Sequence, residues 1–496
     1  MNRSQLSIEQ EYALQQYEEG HNLLITGPGG TGKSFLIQQM IASSELHNEK
    51  YQVCAMTGCA AILLNCGATT IHSWSGIKIP RQSNAEIITN IKNNKKVAAK
   101  WRSTSVLILD EVSMLSKKIF ELLDGIGKAV RNNEKPFGGI QLIFTGDFYQ
   151  LPPIGSIQDG SGCFCFESDL WYKTFEPDNH IELKKLFRQT DPIYKTILNN
   201  VREGIILPEN MEVLKQRLHV KYNKEENNGV LPTKLYAIKT KVDKINEMEF
   251  QKLEGRCYEY QCINKTDCAG NLESGKPFSD DFIAKNKKML TQTKTEMEFR
   301  YLMDNCPMER NLFLKKGANV MCTVNLDLEN GICNGSVGIV EDFIQSGVFI
   351  PIVKFSNGIS RSIPIKYWQS EEYPTLALGQ IPLKLAWAMT IHKSQGSTLS
   401  MGEIDIGNTV FECGQTYVAL SRIQSLEGLY LCGLNPQKIK VNPKVKLFYS
   451  KIPKVEYDEE DEDEEKGESD DDKQNETLQE ENYKEINLES FKHIHF

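Results

Sequence analysis

Residues 25–34 read ITGPGGTGKS, and every position of the pattern G-x-x-x-x-G-K-[ST] is filled. Glycines at these places let backbone N–H groups turn inward and cradle phosphate oxygens, and a following helix adds its positive N-terminal end. Lys33 then reaches the β- and γ-phosphates, and the Ser34 hydroxyl is placed for Mg²⁺. About 80 residues on, Asp110-Glu111 closes the apolar run VLILDE. A carboxylate pair at the carboxyl end of a buried strand suits metal-dependent hydrolysis. Asp110 would hold Mg²⁺ through its water shell, and Glu111 would orient or deprotonate the attacking water. The next apolar run ends in TGDFYQLPPIG, where Gln150 can hydrogen-bond a γ-phosphate or the lytic water. Hydrolysis also needs positive charge against the transferring oxygens. Arg188 in ELKKLFRQ and Arg422 in YVALSRIQSLEG are the candidates, and a finger arginine contributes roughly 10³–10⁵ in rate.

The elements that must position these groups are strands and helices in alternation. NLLI precedes the glycine loop and FLIQQMI follows it, which reads as strand, loop, helix. VLILDEVSML at 106–115 and IQLIFTGD at 140–147 read as strands, with the helical KKIFELLDGIGKAVRN between them. Such alternation predicts an α/β fold, a parallel sheet with helices on both faces. Residues 181–250 read as helical apart from TKLYAI, 255–310 as polar and loop-rich, and 317–370 as short β runs with glycine punctuation, a barrel-like insert. Residues 383–434 return to α/β. Residues 78–102 carry seven basic residues, Lys78 and Arg81 among them, against Glu86 alone, with Trp74 and Trp101 nearby. That segment reads either as a solvated helix hairpin or as a basic, aromatic face that meets a duplex.

The matching strings resemble, in family order, the Pif-type (petite integration frequency) DNA helicases of superfamily 1B. They are GPGGTGKS, MTGCAAILLNCGATTIHSWSGI, LILDEVSML, FTGDFYQLPPI, ELKKLFRQ, GANVMCTVNLDLENGICNGSVGIV, LAWAMTIHKSQGSTL and QTYVALSRIQSLEGLYL, and they cover about residues 5–455. The stretch Ser113 through Arg131 resembles the family's signature helix. The resemblance implies two RecA-like motor domains: 1–180, with a wedge insert about 77–102, and 181–455, with a β-barrel-like insert about 317–372. It implies that Gln10 reads the adenine edge, beside the phosphate-loop residues Gly27, Gly29, Gly30, Thr31, Gly32, Lys33 and Ser34. Thr57, His72, Pro152, His392, Lys393 and Ser394 correspond to DNA-backbone contacts, which position a strand without reading sequence. Gln395 and Gly396 would couple the DNA groove to the nucleotide cleft. Implied with these are ATP and Mg²⁺ as cofactors, single-stranded, fork or G-quadruplex DNA as partner, and 5′→3′ movement by a monomeric motor. Replication, repair, recombination and telomere maintenance are its settings. The alternative is a DNA-stimulated ATPase that clamps or remodels nucleic acid without unwinding.

Composition sets the outer bounds. The 496 residues carry a net charge of −9, but 13 acids and one lysine lie within Glu456–Asp472. Outside that segment there are 56 basic and 53 acidic residues, so the folded part is mildly basic and 456–496 reads as an acidic, disordered tail able to bind basic partners. No run approaches the roughly 18 apolar residues of a membrane helix. MNRSQLSIEQEY shows neither a signal core nor a transit peptide, and thirteen scattered cysteines suit reduced thiols. These features predict an intracellular protein, nuclear or cytoplasmic or at a viral replication site, neither secreted nor mitochondrially targeted. Cys257, Cys262, Cys268 and Cys306 fit no zinc spacing.

Overall fold

The computed structural model describes residues 6–453 apart from 65, 78–82, 223–230, 273–274, 307, 328–329, 333 and 371, and apart from the side chains of Cys59, Ile62, Asn305 and Ser346. The acidic tail, Lys78 and Arg81 therefore lie outside the described residues. The first half is built on β1 (Leu23–Thr26), β2 (Tyr51–Ala55), β3 (Thr69–Thr70), β4 (Val106–Asp110), β5 (Gln141–Gly146) and β6 (His180–Glu182). They pair in parallel in the order β3-β2-β4-β5-β1-β6. VLILD of β4 is buried throughout, as a strand covered on both faces must be. Its side chains alternate. Val106 and Ile108 pack with Ile25, Ile37 and Ile143 in one core; Leu107 and Leu109 pack with Leu24, Leu142 and Phe144 in the other.

The covering helices are α1 (Ile8–Glu18), α2 (Lys33–Leu46), α3 (Gly58–Leu63), α4 (Ile71–Ser75), α5 (Asn84–Asn93), α6 (Lys95–Ser103), α7 (Lys117–Arg131) and α8 (Trp171–Thr174). α1 starts in a capping box, Ser7 with Gln10, which fixes its first turn. α5 and α6 form the basic hairpin, and here the structure corrects the aromatic reading. Trp74 and Trp101 are 1% and 0% exposed and lie against each other with ring centroids 4.4 Å apart. Trp101 Nε1 donates to Ser75 O. Burying rings of this size outweighs displaying them, so neither can stack on a base. Lys92, Lys95, Lys96 and Arg102 remain exposed.

The second half opens with α9 (Pro192–Glu203) and α10 (Pro208–Gln216), then β7 (Thr233–Tyr236) and α11 (Lys239–Gln251). A long excursion follows through β8 (Tyr258–Gln261), β9 (Ile263–Lys265), α12 (Asp280–Met289), α13 (Gln292–Asn305) and β10 (Asn311–Leu314). It continues through β11 (Asn319–Cys322), β12 (Val337–Ser346), β13 (Val348–Phe355), β14 (Ser360–Ser362), β15 (Lys366–Gln369), β16 (Ala377–Gln380) and β17 (Leu383–Leu385). The chain then returns with β18 (Ala388–Thr390), β19 (Gly402–Ile406), α14 (Gln415–Leu420), β20 (Leu429–Leu434) and α15 (Pro443–Tyr449). β18-β7-β19-β20 form a second parallel sheet. The excursion holds an antiparallel sheet β14-β13-β12-β11-β17 and a smaller one, β15-β16-β9.

Residues 255–310 are thus not the loop expected. Ser279 and Thr291 cap two helices there. β8 pairs with β10 and β9 with β16. Their apolar periodicity is weak because only a few positions, Phe299 and Leu302 among them, enter a core.

α15 returns to the first half. Phe448 stacks on Phe166 at 4.3 Å and meets Phe148 and Trp171 edge-on, so the chain's last described helix is packed into the first core.

Candidate nucleotide and nucleic-acid site

Register brings the predicted residues to one edge. Thr26 lies opposite Gly146 and Glu182, and Ala55 opposite Asp110, so the loop after β1 and the ends of β4 and β5 share the carboxyl edge of the first sheet. Ligands bind parallel sheets at such an edge, where strand order reverses. Lys33 begins α2 and donates to Gly27 O and Pro28 O at 2.7 and 2.9 Å. Burial lowers its pKa, opposed by Asp147, Glu111 and Asp110. Thr31 Oγ1 also donates to Pro28 O, while Ser34 stays exposed beside it. Gly30 needs to be glycine: its φ is +96°, and a Cβ there would stand 2.6 Å from Arg188 Cβ. Gln10 is buried, with Nε2 3.1 Å from Thr31 O and Oε1 accepting from Ser7 N.

The carboxylates sit as the strand predicts. Asp110 accepts from Thr145 Oγ1 at 2.5 Å. Burial raises its pKa, against Thr145, the Glu111 N–H and Lys33. Glu111 follows in the left-handed region, φ 58°, an uncommon place for a residue with a Cβ and a mark of functional strain. Burial and then Asp110 push its carboxyl up, with Arg422 and Lys33 opposing. Gln395 Nε2 reaches it from the second half at 3.1 Å. Gln150 is buried, and among the described residues its Oε1 has no hydrogen-bond partner.

Two guanidinium groups face this edge. Arg422, 2% exposed, donates to Val418 O, Ser397 O and Ser421 Oγ. Arg188 donates to Ser421 O at 3.4 Å, and burial with the Arg422 charge lowers its pKa to about 10. A Cβ on Gly29 would lie 3.4 Å from Arg422 Nη2 and 3.6 Å from Arg188 Nη1. Among the described residues neither arginine has a carboxylate within ion-pair distance. A buried cation bonded only to neutral oxygens is costly unless an anion completes it.

The residues assigned to DNA lie apart from this cleft but joined to it. Thr57 Oγ1 accepts Ala60 N–H and so caps α3. A Cβ on Gly396 would stand 2.9 Å from Leu63 Cδ1 at the end of that helix. Gln395 and Gly396 therefore touch both the Glu111 carboxylate and α3. His72 and His392 are half-buried, and burial lowers the pKa of each. His392 stacks near the exposed Phe411, and Lys393 is exposed. Ser394 is fully buried, with its hydroxyl donating to Ile391 O, so here it fixes the turn. Pro152 is half-buried just after Gln150.

Sequence reading missed several participants. Thr145, beside Asp110, looked like ordinary strand. Gln189 is 1% exposed and donates to Ser421 O and Ile423 O, gripping both neighbours of Arg422; its place next to Arg188 was the available signal. Arg202 pairs with both oxygens of Asp147 and with Glu182, against the stacked rings of Tyr149 and Tyr449. Nothing local marks that set, which joins residues up to 302 positions apart.

Comparison with known proteins agrees with this geometry. The family model described as PIF1-like helicase matches residues 4–206, and the one described as DNA helicase Pif1, 2B domain matches residues 300–343. "ATP-dependent DNA helicase PIF1" of Xenopus laevis is 35% identical over 451 residues, 90% of this chain. The chain spans 65% of that protein's length. The crystal structure of Pif1 helicase from Candida albicans superposes with a TM-score of 0.70 at 33% identity, covering 90% of this chain and 99% of that one. Pif1 from Bacteroides in complex with ADP-AlF3 and ssDNA gives 0.59 at 26% identity, covering 90% and 96%. With two RecA-like parallel sheets, a phosphate loop at the edge of the first, Arg422 facing it from the second and Arg188 from the segment that leaves β6, the chain belongs to the PIF1-like helicase family.

Proposed function

We propose that the chain is an ATP-driven DNA helicase that moves 5′→3′ on single-stranded DNA and unwinds duplex, RNA–DNA hybrid or G-quadruplex. Its motor domains are 1–180 and 181–455. The observation that carries this reading is the pair of arginines, buried Arg422 and half-buried Arg188, aimed at Gly29 with no carboxylate partner among the described residues. A triphosphate is the anion that a phosphate loop brings to that place. The Bacteroides relative, in complex with ADP-AlF3 and ssDNA, supports both ligands.

The chain's own groups divide the work. The loop from Gly27 to Gly32 and the N-terminus of α2 cradle phosphate, and Lys33 swings from its carbonyls to the β- and γ-oxygens. Gln10, now against Thr31 O, reads the base. The raised carboxyl of Glu111 takes the proton of the attacking water, and the free Oε1 of Gln150 accepts from that water. Arg188 and Arg422 neutralise charge that grows on the transferring group. The Ser34 hydroxyl and the Asp110 carboxylate form an oxygen donor set that suits Mg²⁺, and they would hold it. That ion supplies neutralisation of phosphate charge when bound.

Thr57, His72 and Pro152 on the first domain, and His392 and Lys393 on the second, flank the strand, while buried Ser394 holds the turn that carries them. Gln395-Gly396 passes its position to Glu111. A hinge between two domains that bind one strand is enough for a monomer to step.

The test is ATP-dependent strand displacement on matched 5′-tailed and 3′-tailed duplexes, with Lys33→Ala as control. Unwinding of the 5′-tailed substrate alone, lost in Lys33→Ala, is the expected result. Unwinding of the 3′-tailed one alone overturns the polarity. DNA-stimulated hydrolysis without displacement replaces the helicase by a clamp or remodeller.

A further inference from the structure

The roles above leave out Tyr417. It lies on α14, five residues before Arg422, and is 3% exposed. Its phenol oxygen accepts the Gly29 N–H at 3.0 Å across the domain boundary. Gly29 is also the residue on which Arg422 and Arg188 converge, at the distances given above. Burial, and then the Asp147 carboxylate, push the phenol's pKa up, with Arg202, the Gly29 N–H and Arg422 opposing. The group is therefore a neutral hydroxyl at any working pH.

An amide has one proton, and here Gly29 gives it to Tyr417. A phosphate oxygen cradled by the loop takes that proton only by displacing the phenol. The finger has other anchors: Tyr194 OH donates to Leu420 O at 2.8 Å, and Gln189, on the segment that leaves β6, grips Ser421 O and Ile423 O, but neither uses a loop amide that phosphate needs. The Gly29–Tyr417 bond thus ties the finger segment to the loop through the very group that phosphate needs.

We infer that Tyr417 is a positioning residue of the nucleotide site. Its phenol and a nucleotide phosphate exchange at the Gly29 N–H, and the exchange hands the Arg422 segment from the loop to the phosphate. The inference rests on the ATPase reading of this cleft and adds to it a competitor built into the protein.

The full chain carrying Tyr417→Phe keeps the ring and loses the hydroxyl. Its affinity for ADP, read by titration calorimetry, rises roughly two- to tenfold, the range of one net hydrogen bond. The ATPase KM falls in step, and the change shows in KM rather than kcat. An ADP affinity equal to the parent's overturns the exchange, including the case where only the melting temperature drops, since that is what a packing role alone gives. Weaker ADP binding with a lower kcat also overturns it, and makes the phenol a donor to phosphate instead. The Lys33→Ala protein separates the two readings. If it hydrolyses ATP like the parent, the nucleotide site itself is misplaced; if it is inactive while Tyr417→Phe binds ADP like the parent, the exchange alone fails.

Discussion

Two buried arginines of the second domain face the first domain and could hardly be treated more differently. Arg202 is enclosed by opposite charge: Asp147 takes it with both oxygens, Glu182 adds a third contact, and the mutually stacked rings of Tyr149 and Tyr449 lie against the guanidinium. Burial opposes that charge, yet Asp147 with Tyr449, Tyr417 and Glu182 outweighs it and holds the pKa well above the ordinary range. Arg422 is as deeply buried but bonded to neutral oxygens only, and its pKa is lowered. A satisfied charge locks two elements together. An unsatisfied one waits for a ligand. On the proposed reading, the difference separates a joint from a catalytic group.

The comparison breaks or sharpens in four measurements. Arg422→Ala has the largest expected effect: kcat falls by roughly 10³-fold or more while nucleotide still binds and the urea midpoint holds. Full turnover in that protein would place the finger elsewhere. Glu111→Gln comes next, with a loss of about 10²–10⁴ in kcat. The pH profile of the parent adds a sign. Burial and Asp110 raise the Glu111 pKa above 4.5, so the acid limb of kcat sits above the ordinary carboxylate range and disappears in the Gln protein. Ionising Glu111 against that burial costs folding stability as pH rises through the raised pKa, so activity and stability move in opposite directions across that window. An acid limb unchanged by the substitution would assign the proton to another group.

Arg202→Ala inverts the pattern of Arg422→Ala. Stability in urea drops by about 3–5 kcal/mol, because Asp147 is left buried and unpaired, while the rate per folded molecule changes less. A drop in rate without a drop in stability would erase the distinction between the two arginines. Gln395→Ala is the smallest. Loss of its bond to Glu111 should cut DNA stimulation of hydrolysis roughly tenfold, and leave the DNA-free rate nearer the parent's. Equal loss of both rates would show that Gln395 only supports Glu111.

The contrast also explains what could be read in advance. Lys33, Asp110 and Glu111 lie at the ends of strands whose apolar runs announce them, so their juxtaposition follows from parallel register. The aromatic reading of Trp74 and Trp101 failed because composition near a basic run says nothing of which face is buried. The loop reading of 255–310 failed because β8 and β9 owe their existence to partners about 50 and 115 residues away, at β10 and β16.

By itself, then, the sequence determined the two parallel sheets, the phosphate loop, the carboxylate pair and the two candidate arginines. Each is written in a local pattern of spacing or apolar period, and short-range physics suffices to interpret it. Only the tertiary structure decided which arginine is paired and which is free, that Tyr417 holds the loop amide, and that α15 returns to brace the first core. Those depend on contacts between segments 20 to 388 residues apart. Desolvation and the satisfaction of buried polar groups, which no local window contains, settle them.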